Sequence, residues 1–138
     1  MKTLQEVTDY IAANEPQAKN WDEAKFQKWV AWHYSEGFVC VVLDVDQSIA
    51  GLAMVRPCME RDAADQMVWD YEGDCLYIAE VVTTKKGALK ALGFAVLKRF
   101  GMREWVAWQR PPFYILETHK AKALRRNLFR LDYSYGPK

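Results

Sequence analysis

The chain has two histidines and three cysteines in 138 residues, too few and too scattered for a metal or disulfide framework. Cys40, Cys58 and Cys75 are odd in number and no two stand at C-x-x-C spacing. No zinc signature can be assembled from them, and three reduced thiols in a reducing compartment are expected. Cys40 sits in an apolar run and reads as core. Also missing is any run of about 18 apolar residues, which excludes a membrane-spanning helix. The opening MKTLQEVTDY has no apolar leader segment, so no secretory signal and a cytoplasmic location are expected.

What is present is burial capacity. Hydrophobic residues make up 51% of the chain and aromatics 14%, which argues against disorder and, at this length, for one domain spanning residues 1–138. Six tryptophans supply large apolar area to a small core. The net charge of +1 conceals a division. Residues 1–84 hold 6 Lys/Arg against 15 Asp/Glu, whereas residues 85–130 hold 12 against 2. Either the halves neutralise each other across the fold, or the C-terminal half faces an anionic ligand or partner.

Periodicity gives the elements. Thr3-Leu4-Gln5-Glu6 is a capping box, and Leu4, Val7 and Ile11 follow at helical spacing until Asn14-Glu15-Pro16 ends the helix. Asn20, with Asp22 and Glu23 behind it, opens a second helix whose core stripe is Phe26, Trp29, Val30 and His33. Phe38–Asp44 reads as a strand covered on both faces. Ser48–Arg56 returns as its hairpin partner, ended by Pro57. Residues 58–73 are polar and acidic, a loop with a helical turn around Ala63–Trp69. Cys75–Val82 is a third strand, Lys86–Phe100 a helix closed by Gly101, and Glu104–Gln109 a fourth strand broken by Pro111-Pro112. Thr118 is placed to cap a last helix bearing Ala121, Leu124 and Leu128, with Lys120, Lys122, Arg125, Arg126 and Arg130 largely opposite. The strand–helix–strand unit from Cys75 to Gln109 should be a crossover between parallel neighbours, splayed apart near Val82. With the preceding hairpin this gives an α/β domain with a mixed sheet.

In this order of elements the chain resembles the GNAT acetyltransferases, over residue 3 to about residue 130. The family's first strand has no room before Thr3, and its C-terminal strands reduce to Leu131–Tyr135. The family's pyrophosphate segment, (Gln/Arg)-x-x-Gly-x-(Gly/Ala), falls on Lys86 to Ala91. Lys86 takes the first position and Ala91 the last, Leu89 stands where glycine is usual, and Gly87 follows Lys86 as in the family's common Arg-Gly pair. The resemblance implies that Val81, Val82, Lys85, Lys86, Gly87, Ala88, Leu89, Lys90 and Ala91 hold acetyl-CoA. Small residues, free amides and a helix N-terminus suit a pyrophosphate. The alternative is an ordinary strand-to-helix turn with solvated lysines.

Glu80, a carboxylate within the apolar strand Ile78-Ala79-Glu80-Val81-Val82, is costly to bury without purpose or partner. The resemblance makes it the general base for an acceptor amine; the alternative is an ion pair with a nearby Arg or Lys. The family's acidic tyrosine position falls on Arg125, and Tyr114 is the nearest substitute. Glu60, Asp62, Asp65, Asp70 and Glu72 are either a border attracting a cationic amine or a solvated loop. The implied activity is acetyl transfer from acetyl-CoA (coenzyme A) to an amine, on a small molecule or a protein. Two other readings stand beside it: a non-catalytic GNAT-like assembly component of phage or virion type, and nucleic-acid binding through Lys120–Arg130. Homo-oligomerisation is left open by the sequence.

Overall fold

The computed structural model describes residues 1–64, 67–110 and 115–124. Its elements are α1 (Leu4–Asn14), α2 (Glu23–Ser35), β1 (Val39–Leu43), β2 (Ile49–Cys58), β3 (Cys75–Thr83), α3 (Ala88–Phe100), β4 (Trp105–Arg110) and β5 (Ile115–Lys120). Residues 121–124 are again helical.

The local signals at the N-terminus act as their chemistry requires. The Glu6 N–H donates to Thr3 Oγ1 at 3.1 Å and the Thr3 N–H to Glu6 Oε1 at 3.3 Å, closing the capping box. Ahead of Pro16, Glu15 leaves the helix in an extended conformation, φ −87° and ψ 115°. The second helix is capped two residues later than expected. Asp22 accepts the Lys25 N–H at 2.9 Å, and Asn20 lies in a short 3-10 turn, Ala18–Asn20. Asp22 is the residue whose carboxylate directly precedes the helical residues, which is where an acceptor meets the free amides.

The five strands form one sheet in the order β1-β2-β3-β4-β5. Neighbours are antiparallel except β3 and β4, which run parallel with α3 as their connection. The architecture is therefore α/β with a mixed sheet. One face is covered by α1 and α2, through Val7, Ile11, Phe26 and Val30 packed on Leu52, Met54 and Val82. The other is covered by α3, through Leu92 and Phe100 packed on Cys40, Ala53, Val55 and Leu76. Strand β2 is buried on both faces along nearly all of its length, and continues through Pro57 instead of stopping at it. Strand β1, expected to be covered on both faces, sends Val39 and Val41 to one core cluster and Cys40 and Val42 to the other, but as the edge strand it buries only Cys40 fully. Gly51 lets α3 approach: a Cβ there would stand 3.0 Å from Leu92 Cδ1 and 3.2 Å from Ala88 Cβ.

The start of one expected helix and the place of one expected helical turn are corrected. Thr118 does not cap a helix; it lies in β5, opposite Ala107. Cross-strand contacts outweigh the local capping signal. Trp108 stacks on His119 with centroids 4.6 Å apart, Trp108 Nε1–H donates to Glu117 Oε2 at 3.1 Å, and Lys120 Nζ sits 4.1 Å over the Trp105 ring. In the acidic loop, the helical turn is a 3-10 turn at Glu60–Asp62, before Ala63. The left-handed backbone of Ala64 (φ 75°) and Met67 (φ 63°) is incompatible with a helix through Ala63–Trp69. The helix expected from Lys86 starts at Ala88. The cysteines are free and buried, and no helix among the described residues is long and apolar enough to cross a membrane.

Candidate active site

Strand β3 changes partners along its length. Cys75–Ile78 pair with Trp105–Trp108 of β4, and the parallel pairing ends there, although β3 runs on to Thr83 and β4 to Arg110. On its other edge β3 stays paired with β2 as far as Thr83 opposite Gly51. At the level of the separation the β2–β3 register slips. Met54 faces Glu80 and Val55 faces Ile78, leaving Ala79 as an extra residue. A bulge bends its strand and re-aims the side chains beyond it. Here it puts Tyr77 and Glu80, three residues apart, on the same face, where plain alternation would oppose them.

Glu80 is half-buried on the face covered by α1 and α2. Its Oε1 accepts the Val81 N–H at 3.1 Å, and the Glu15 carboxyl, just past the end of α1, is the charged neighbour that acts on it. Glu15 Oε1 in turn accepts the Gln17 N–H at 3.1 Å. Burial, then the hydrogen bond and negative charge of Glu15, push the Glu80 carboxyl up to about 8, against the opposing pull of the Val81 N–H. The expected alternative, an ion pair with Arg or Lys, is not what the strand provides: among the described residues Glu80 has no such partner, and its neighbour is a second carboxyl. Glu80 is thus poised to hold or release a proton near neutral pH.

Tyr77 was not singled out in the sequence. Its hydroxyl donates to Gln109 Oε1 of β4 at 3.1 Å, next to the point where the strands part. Burial raises the phenol above its usual range. Behind it lies Arg56, 2% exposed, whose guanidinium sits 4.5 Å over the Tyr77 ring. Arg56 Nε–H donates to the Val68 carbonyl at 3.1 Å and its terminal nitrogen lies 3.2 Å from His33 Nε2. The other ring nitrogen of His33 is 2.8 Å from the Trp29 carbonyl. Burial lowers the imidazole to about 4, so it is neutral, donating to Trp29 and accepting from Arg56.

The strand-to-helix segment follows at the end of β3. Gly87 is the N-cap of α3 in a left-handed conformation, φ 83°, which glycine adopts without strain. Thr84 anchors the turn: its N–H donates to the Ala50 carbonyl at 2.9 Å and its hydroxyl meets Tyr10 Oη at 2.9 Å. Among the described residues the N–H groups of Lys86, Gly87 and Leu89 have no backbone acceptor. Lys86 is exposed, Leu89, Lys90 and Ala91 are half-buried, and Ala88 is buried against the sheet. The Val82 side chain belongs to the core, and the Val81 N–H is taken by Glu80. Lys85 is drawn aside, its Nζ 3.6 Å from Asp44 Oδ2 in the β1–β2 turn.

The described residues of the acidic loop are not brought to Glu80. The acidic loop packs at the Cys58–Cys75 end of the sheet, with Trp69 and Tyr71 against Phe38. Glu60, Asp70 and Glu72 there are engaged in local hydrogen bonds: Asp74 Oδ1 accepts the Glu60 N–H, and Asp70 Oδ1 the Glu72 N–H. Asp65, Tyr114, Arg125, Arg126 and Arg130 lie outside the described residues, as does Leu131–Tyr135. Lys120, at the head of the basic segment, pairs with Glu104 at 3.0 Å. Among the described residues no group of three His, Cys, Asp or Glu could hold a metal ion. In comparison with known proteins, no family model and no curated protein matches the chain.

Proposed function

We propose that this chain is a GNAT-like, coenzyme A-dependent N-acyltransferase that moves an acetyl group from acetyl-CoA to an amine. The observation that carries the reading is the parting of β3 and β4 beyond Ile78 and Trp108, with a proton-bearing carboxyl, Glu80, beside the opening. The free amides of Lys86, Gly87 and Leu89 at the start of α3, with the Lys86 ammonium, fit a pyrophosphate. Acetyl-CoA would supply the activated acyl group as a thioester. The chain's part is to orient the amine and take its proton. Glu80, once ionised, accepts the proton as nitrogen attacks; the new bond is C–N, the bond lost is C–S, and the thiolate leaves to be protonated. A half-buried carboxyl at about 8 is matched to that task at physiological pH.

A second reading, a non-catalytic assembly component on the same fold, is favoured by two features of the segment: the half-buried Leu89 and the diversion of Lys85 to Asp44. Calorimetric titration with acetyl-CoA separates the two. The parent protein should bind and Gly87→Glu should not, because it sets bulk and negative charge beside the free amides; Gly87→Ala, which carries the same left-handed backbone strain without the charge, is the control. A folded parent that does not bind acetyl-CoA, or a Gly87→Glu variant that binds it like the parent, would overturn the acyltransferase reading.

A further inference from the structure

Cys58 ends β2, Cys75 opens β3, and the two are direct partners in the antiparallel register. Such partners hold their Cα atoms about 4.5–5.5 Å apart and send their side chains to the same face. That separation falls inside the range of about 4.4–6.8 Å that a disulfide spans. The same register sets Arg56 opposite Tyr77, and the Arg56 guanidinium does stack on that ring, so side chains on this face meet as the register requires. Cys58 and Cys75 share one buried cluster with Tyr77 and Ala107, and neither cysteine is exposed. Cys40 lies apart from them, in the cluster under α3.

The pair stands at the neck of the loop, residues 59–74, that joins β2 to β3. Both ends of that loop are already held: Asp74 Oδ1 accepts the Glu60 N–H at 2.8 Å, and the Asp74 carbonyl accepts the Trp105 N–H at 2.9 Å. A bond between the two sulfurs therefore has no strands to draw together. We propose that Cys58 and Cys75 are an oxidisable thiol pair, closed by a hydroperoxide into a cross-strand disulfide that locks the neck of the 59–74 loop, and reopened by a dithiol. This site is independent of the acyltransferase reading.

The two sulfurs have different parts. Cys58 is the one that ionises: the Cys75 S–H donates to it and the Arg56 charge favours its thiolate, against burial and the charges of Asp62 and Asp74. The same hydrogen bond, with burial, keeps the proton on Cys75. The Cys58 thiolate attacks hydrogen peroxide, forming S–O as O–O breaks, and the hydroxide released takes up the proton that Cys58 gave. The Cys75 sulfur then displaces the hydroxyl of the sulfenic acid: S–S forms, S–O breaks, and the Cys75 proton leaves with it as water. Two thiols are oxidised and one peroxide is reduced to two waters. Ala63 and Ala64 of the loop pack on this cluster, so the oxidant enters when the loop lifts.

The test treats the folded protein with hydrogen peroxide, alkylates it in denaturant and maps the peptides by mass. Cys58 and Cys75 should be recovered in one linked peptide pair and Cys40 as the alkylated thiol. The melting temperature should rise by about 5–15 °C over the reduced protein, because the bond closes a loop in the unfolded chain, and dithiothreitol should reverse both changes. Cys40→Ala should form the same bridge. Cys75→Ser should stop at a sulfenic acid on Cys58 that dimedone traps; if that variant does not fold, the parent and Cys40→Ala decide. Three alkylated thiols after prolonged exposure, a bridge that includes Cys40, or Cys58 carried to the sulfinic acid in the parent would each overturn the proposal. So would a Cys58–Cys75 bridge that leaves the melting temperature unraised.

Discussion

Two polar side chains are sunk into the same face of the sheet, and they are treated in opposite ways. Arg56 is given a carbonyl, a neutral imidazole and an aromatic ring. Glu80 is given a backbone N–H and another carboxyl. The first arrangement satisfies the buried group and ties β2, α2 and the 59–73 loop together. The second raises the free energy of the ionised form, which a structural role does not require and a base near neutral pH does. Burial alone does not separate scaffold from site. The neighbour's sign does.

The comparison breaks if neutralising the two groups has the same effect on stability. Arg56→Ala should cost the most, about 3–5 kcal/mol in denaturant unfolding, since it opens a cavity and strands the His33 and Val68 acceptors. A loss below about 1 kcal/mol would remove Arg56 as an anchor. Gly73→Ala should come next. Its Cβ would fall 2.1 Å from the Cys58 carbonyl oxygen, so the loop that Arg56 holds must shift, at about 1–3 kcal/mol. A melting temperature equal to the parent's would contradict that packing.

The smallest effect should have the opposite sign. Glu80 holds its proton up to about pH 8 when folded against an ordinary value of 4.5, so between those values the native state binds more protons than the unfolded one. Stability therefore falls as pH rises from about 4.5 to about 8. Glu80→Gln removes the titrating group and offers Glu15 an amide donor. It should be close to the parent at pH 5 and more stable by about 1–2 kcal/mol at pH 9. A variant destabilised at pH 9 would show that Glu80 has a cationic partner after all.

Much of this frame was legible in local chemistry. Thr3 with Glu6, Pro16, the apolar strands and the α3 stripe fixed the elements and the parallel β3–β4 pair, and Glu80 stood out as a charge in an apolar strand. What was hidden depended on register and tertiary contact. A one-residue bulge at Ala79 leaves no mark in the sequence, yet it sets Tyr77 beside Glu80's face. Glu15 reads as the residue before a proline, and nothing local says that its carboxyl meets a strand 65 residues away. Arg56 reads as the polar end of a hairpin strand. Thr118 carries a true capping signal that cross-strand aromatic contacts override in β5.

The most direct measurement is the pH–rate profile of Glu80→Gln beside the parent, following thiol release from acetyl-CoA with a panel of primary amines. The account predicts unchanged acetyl-CoA affinity, turnover lower by about 10²–10⁴-fold, and loss of the limb that rises through about pH 8 in the parent. A Glu80→Gln protein with the parent's turnover and the parent's profile would contradict it.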